Sequence, residues 1–99
     1  MDVSPRPALF LDRDGVLNAD KGFVARVEDF EWMPGAIDCV RRFNALDYLV
    51  IIVTNQTGVA FDLYAEADIA AVHEHMLAEL AQAGAQVDRI YECCWHPAA

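Results

Sequence analysis

Apolar and polar positions along this chain fall into blocks whose periods can be read directly. Ala8-Leu9-Phe10-Leu11 is a short, continuous apolar run that follows a proline-rich lead and ends in Asp12. Its length and continuity predict a strand buried on both faces of a sheet. Asp12-Arg13-Asp14-Gly15 then breaks the run with charge and a glycine, as a strand end does. Residues 16–33 follow neither period and are closed off by Pro34-Gly35, so they read as an irregular excursion with room for a short hairpin. From Gly35 the pattern turns helical: Ile37, Val40, Phe43 and Leu46 recur every three residues, while Arg41, Arg42 and Asn44 face elsewhere. Pro34 stands at or just before the first turn of that helix, where its missing N–H costs nothing.

Tyr48 to Thr54 is β-branched and apolar, too short for a buried helix, and predicts a second strand. Residues 55–64 read as a loop around Gly58. Ile69, Val72, Met76, Leu80 and Ala83, with Leu77 beside them, mark an amphipathic helix that stops at Gly84. Val87 to Glu92 resembles a shorter third strand, and Cys93-Cys94-Trp95-His96-Pro97 forms a tail. Alternating strands and helices imply a parallel sheet joined by crossover helices, an α/β fold with about three parallel strands.

The chain has 99 residues, enough for one small domain with one modest core and too few for two. With 56% hydrophobic residues a packed fold is expected. The net charge of -9, from 16 acidic and 7 basic residues, argues against nucleic acid or an anionic membrane as partner, since no basic patch can be assembled. The same balance suits recruitment of divalent cations to clustered carboxylates, although a solvated acidic surface is the simpler explanation. The lead, Met1 to Pro7, has no signal-type apolar segment, and the longest apolar run, Leu49 to Val53, is far too short to span a bilayer. Three cysteines, two of them adjacent, do not suggest a disulfide framework. A cytoplasmic location is the expectation.

Open parallel sheets bind ligands at the carboxyl ends of their strands. Two polar clusters fall there: Asp12-Arg13-Asp14-Gly15 after the first strand and Thr54-Asn55-Gln56-Thr57-Gly58 after the second. Two carboxylates at i and i+2 repel unless a cation or shared proton separates them. Mg²⁺ meets that need with oxygen ligands and favours one or two carboxylates plus substrate phosphate. An aspartate can attack phosphorus, and a second carboxyl can protonate the leaving oxygen and later activate water. Gly15 lets the backbone turn so that N–H groups face an incoming anion, and Thr54 and Asn55 add side-chain donors. Taken singly, D-x-D-G is a common turn and T-N-Q-T-G a polar loop. Both together, each directly after an apolar strand, are far more specific.

Leu9-Phe10-Leu11-Asp12-Arg13-Asp14-Gly15-Val16-Leu17-Asn18 resembles the first motif of the haloacid dehalogenase superfamily, and Val53-Thr54-Asn55-Gln56-Thr57-Gly58-Val59 resembles its second. The wording of both motifs points to the branch of heptose bisphosphate and histidinol-phosphate phosphatases. Gly22-Phe23-Val24, Glu28-Asp29-Phe30, Met33-Pro34-Gly35 and Glu66-Ala67-Asp68-Ile69 agree with it. The resemblance implies a three-layer α/β/α, Rossmann-like fold, here a partial one spanning 1–99. It makes Asp12 the nucleophile and a Mg²⁺ ligand. Asp14 becomes the general acid/base, with its backbone carbonyl on the metal, and Thr54 and Asn55 the phosphate binders. Arg13, Asn18 and Gln56 fall to supporting or substrate contacts.

The sequence also departs from the family. The lysine after a third segment and the aspartates after a fourth strand have no match; Lys21, the only lysine, lies in the wrong place. A missing electrostatic contributor of this kind costs about 10²–10³ in rate. The first strand would also stand at a sheet edge, open to pairing with another chain. The expectation is therefore a fragment, a truncated product, or a chain that completes itself by association. Relatives carry a zinc loop of C-x-H…C-x-C type. Here Cys93 matches its first ligand, Trp95 replaces the histidine and His96 sits one position late, so a tail with free thiols is favoured over zinc. His73 and His75 read as packing residues, Cys39 as a small buried hydrophobe, and Ala65 as a weak N-cap.

The functional expectation is a Mg²⁺-dependent phosphatase acting through an aspartyl phosphate at Asp12 on a small phosphorylated metabolite, a sugar phosphate such as a heptose bisphosphate. Histidinol phosphate is the alternative substrate. The rival from another class is an inactive remnant that binds phosphate or a partner chain.

Overall fold

The computed structural model describes residues 5–98. Residues 1–4, part of the lead read as lacking a signal-type segment, lie outside the described residues. Three strands, β1 (Ala8–Leu11), β2 (Leu49–Asn55) and β3 (Arg89–Cys93), form one parallel sheet in the order β1-β2-β3. Leu11 pairs with Ile52 in register, and Thr54 with Glu92, so the carboxyl ends of all three strands finish at one edge.

The crossovers α1 (Ala36–Ala45) and α3 (Glu66–Gln82) connect strands that advance in one direction across the sheet. Right-handed connections then place both helices on the same face. Val40 of α1 and Met76 and Leu80 of α3 accordingly pack on Val50 and Ile52 of β2, and this is the core. Each such side chain stabilises the fold by about 1.5–3 kcal/mol when fully buried. The opposite face carries Phe10, Val53 and Tyr91, which are 63%, 47% and 56% exposed. The described residues thus supply the sheet and one helical layer of the three-layer arrangement. Double burial of β1, inferred from its unbroken apolar run, does not hold: Leu9 and Leu11 are half-buried and Phe10 is open.

The excursion is better built than its irregular pattern suggests. Met33 N–H donates to Leu17 O and Ala19 N–H to Glu31 O, both at 2.8 Å, closing its two ends as a short antiparallel pair. Leu17 and Val24 are wholly buried, a 3-10 turn spans Val27–Asp29, and the Phe30 and Trp32 rings meet edge-on at 5.0 Å. Leu46 leaves the predicted α1 stripe, and Leu77, read as lying beside the α3 stripe, is partly open. Leu46 is the C-cap of α1 and 65% exposed, because Asp47 turns the chain with φ 63; Leu77 is 38% exposed. The loop after β2 contains one helical turn, α2 (Thr57–Ala60). Ala65 does stand at the N-cap of α3, and its N–H is satisfied by the Asp68 carboxylate at 2.9 Å.

Among the described residues, no helix is long and apolar enough to cross a membrane.

Candidate active site

Parallel pairing of β1 with β2 brings the two polar clusters, about forty residues apart in sequence, to one sheet edge. A cleft of about 200 Å³ opens there, walled by Asp12, Asp14, Asp20, Asn55, Gln56 and Tyr64 among others. Two larger grooves, of about 420 and 460 Å³, lie elsewhere; the second shares Phe23 and Tyr64 with the cleft, and neither contains paired motif carboxylates.

Asp12 is exposed at the end of β1, its Oδ1 accepting the Arg13 backbone N–H at 2.8 Å. Asp14 is held more elaborately. Its Oδ1 accepts from Arg13 Nη2 at 2.9 Å, Arg13 Nε at 3.2 Å and Asn18 Nδ2 at 2.9 Å. Among the described residues its Oδ2 meets only Gln56 Nε2, at 3.5 Å. One oxygen of Asp14 is therefore saturated and the other is left to the cleft.

Gly15 takes φ 85, a left-handed conformation that only glycine adopts without strain. Its own N–H is spent on Asn18 O at 2.7 Å, so the expectation that it faces an anion is corrected: Gly15 serves the turn. Arg13 and Asn18 are wholly buried. Of the two roles open to Arg13, support of Asp14 is the one its geometry fits, and Asn18 braces the same oxygen. Thr54 is buried rather than on the cleft wall; its Oγ accepts from Gln56 Nε2 at 2.8 Å, while Asn55 beside it is exposed. Tyr64 O–H donates to Gln56 Oε1 at 2.9 Å and so fixes which way the amide points. Burial raises the Tyr64 phenol above its ordinary value, which keeps that donor protonated. Gly58 makes room for Tyr64, since a Cβ there would overlap the phenol ring.

The cleft fits a hard divalent cation: three of its lining residues are aspartates and none is lysine or arginine. Among the described residues no cluster of three or more His, Cys, Asp or Glu forms a full cage. Asp12 and Asp14 would thus share an ion with water and phosphate, the pattern Mg²⁺ prefers. At the tail, Cys93 Sγ lies 3.9 Å from Trp95 O, and His96 packs on Phe61 with its Nδ1 accepting from Ala98 N–H at 3.0 Å.

This arrangement has close counterparts. The chain is 46% identical over 91 residues to the D-glycero-beta-D-manno-heptose-1,7-bisphosphate 7-phosphatase of Rhodopseudomonas palustris, a match covering 92% of this chain and 51% of that protein. A crystal structure of D,D-heptose 1,7-bisphosphate phosphatase from B. bronchiseptica, complexed with magnesium and phosphate, superimposes with a TM-score of 0.87. It is 37% identical, over 92% of this chain and 51% of that one. A HAD-like protein of Mesorhizobium loti gives a TM-score of 0.89 at 33% identity over 100% of this chain and 48% of that one. In sequence and in fold the chain is similar to phosphatases of the haloacid dehalogenase type. No family model matches it. The chain spans about half the length of the curated relatives it matches.

At this site, Asp20, Tyr64 and Glu92 escaped the sequence reading, and His73 was read only as a packing residue. Asp20 and Tyr64 reach the cleft from loops. His73 and Glu92 stand behind it on α3 and β3: Arg13 Nη1 lies 3.2 Å from His73 Nε2, and His73 Nδ1 lies 2.8 Å from Glu92 Oε1. Burial and the neighbouring Arg13 charge lower the basicity of His73, partly offset by Glu92. The available signal was the position of His73 on the buried stripe of α3, where a titratable ring requires polar partners.

Proposed function

We propose that this protein is a Mg²⁺-dependent phosphomonoesterase whose substrate is a small phosphorylated sugar, a heptose bisphosphate being the first choice. The observation that carries the reading is the unequal treatment of the two motif carboxylates. Asp12 is exposed, with one oxygen that meets no donor among the described residues, which suits a nucleophile. Asp14 has one oxygen pinned by three donors and the other turned to the cleft, which suits a proton carrier of defined direction.

Asp12 would attack phosphorus, forming an acyl phosphate as the bond from phosphorus to the sugar oxygen breaks. Asp14 would deliver its proton through Oδ2 to that leaving oxygen. It would then take a proton from the water that attacks the acyl phosphate, returning Asp12 as a carboxylate and releasing inorganic phosphate. The Thr54 hydroxyl, its oxygen already accepting from Gln56, can direct its own hydrogen elsewhere, and the exposed Asn55 amide supplies a second donor. Mg²⁺ held by the Asp12 carboxylate and the Asp14 backbone carbonyl would neutralise phosphate charge in a cleft that has no cationic lining among the described residues. The similarity to heptose bisphosphate phosphatases, one of them crystallised with magnesium and phosphate, supports the substrate class and the ion.

The test is phosphate release from a panel of sugar phosphates and histidinol phosphate, with Mg²⁺ or EDTA, comparing wild type with Asp12→Asn. Release that requires Mg²⁺ and disappears in the variant is expected. Background release, or equal release from both proteins, would overturn the reading.

A further inference from the structure

The Arg13–His73–Glu92 series takes no part in the chemistry just described, yet it connects the buried core of the site to the end of β3. Arg13 is wholly buried, and its guanidinium meets three partners: the Asp14 carboxylate, Val24 O at 2.9 Å and His73 Nε2 at 3.2 Å. A guanidinium has only donors, so His73 must present a lone pair at Nε2 and carry its proton on Nδ1. That proton points at Glu92 Oε1, 2.8 Å away. Glu92 in turn sits opposite Thr54 in the β2–β3 register.

We infer that His73 and Glu92 are positioning residues that lock the Arg13 guanidinium against one oxygen of Asp14, so that the other alone serves the cleft. The inference rests on the phosphatase reading for its catalytic consequence. Two of the three donors on Asp14 Oδ1 come from Arg13. If the guanidinium turns, the carboxylate is free to present either oxygen. His73 prevents that turn by accepting from Nη1, and Glu92 holds His73 in the one tautomer able to accept. The series sets one buried cation, Arg13, between the Asp14 carboxylate and, through a neutral ring, the Glu92 carboxylate. The low basicity of buried His73 is consistent with a ring that stays neutral.

The test uses the isotopically labelled 99-residue chain. Long-range ¹H–¹⁵N spectra are expected to show His73 as the Nδ1–H tautomer and the Arg13 Nη hydrogens as separate, slowly exchanging signals. His73→Leu should merge those Arg13 signals. His73→Gln should keep them apart, because its amide oxygen can accept from Arg13 while its amide nitrogen donates to Glu92. In Mg²⁺-dependent hydrolysis, His73→Leu should lower kcat about 10²-fold with KM unchanged, as for a misplaced catalytic group, and His73→Gln should restore most of it. An Nε2–H tautomer, averaged Arg13 signals in the wild type, or unaltered signals and kcat in His73→Leu would each overturn the lock. Should His73→Leu fail to fold, Glu92→Leu, at a half-exposed strand position, carries the same readouts. A locked Arg13 in a chain that hydrolyses nothing would uphold the lock and sink the phosphatase reading; Mg²⁺-dependent hydrolysis at full kcat in His73→Leu would do the reverse.

Discussion

Replacing Arg13 with methionine removes a buried cation whose partners cannot all be resupplied. Methionine fills much of the arginine stem's volume, so the loss is chiefly polar. Asp14 Oδ1 retains only Asn18, and Val24 O and His73 Nε2 lose the Arg13 donors shown in the structure. Removing one partner of a buried ion pair costs about 3–5 kcal/mol, and each orphaned buried acceptor about 1–3 kcal/mol within that figure. Native domains of this length are stable by only about 5–15 kcal/mol, so the variant should lose a large share. Urea unfolding followed by circular dichroism reads the loss directly, and a Tm at least about 12 °C lower should accompany it. Because His73 shares the network, a double-mutant cycle with His73→Leu should show coupling of about 0.5–3 kcal/mol. A loss under about 1 kcal/mol for Arg13→Met, or additivity within about 0.5 kcal/mol, would refute the argument that Arg13 is bound as drawn.

Other outcomes follow from single contacts. Burial and the Arg13 charge lower the proton affinity of His73 below the ordinary histidine value of 6.5. Between its folded and unfolded values the unfolded chain binds more protons, so stability should be fully present above about pH 6.5 and decline as pH falls through that window. His73→Gln should flatten this slope in urea titrations across pH. Gly58→Ala should cost about 1–3 kcal/mol, since its Cβ overlaps the Tyr64 ring that fixes Gln56; an unchanged melting curve would contradict that packing. Ile52→Ala, at the centre of the sheet with its side chain fully buried, should cost about 2–5 kcal/mol in urea unfolding.

Strand and helix identities were legible because each rests on local pattern. The β-branched run before Asn55 and the 69–72–76–80 stripe of α3 describe faces that must be dry whatever their neighbours. Both motif clusters were legible for the same reason: charge and glycine after a short apolar run mark a strand end, and parallel topology sends those ends to one edge. The double burial expected of β1 was not legible, since an apolar run does not reveal how many layers cover it. Nor was the spent N–H of Gly15, which depends on where the carbonyl of Asn18 comes to rest.

The sequence by itself determined the α/β order and the meeting of Asp12 and Asp14 with Thr54 and Asn55 at one sheet edge. Periodicity and strand-end chemistry are short-range properties, written in neighbouring residues. Only the tertiary structure decided which oxygen of Asp14 is free, that Arg13 is a buried support, and that His73 and Glu92 stand behind it. Those facts depend on side chains 60 and 19 residues apart meeting at hydrogen-bond distance. Buried polar groups must find partners wherever the fold brings them, and no local pattern names those partners in advance.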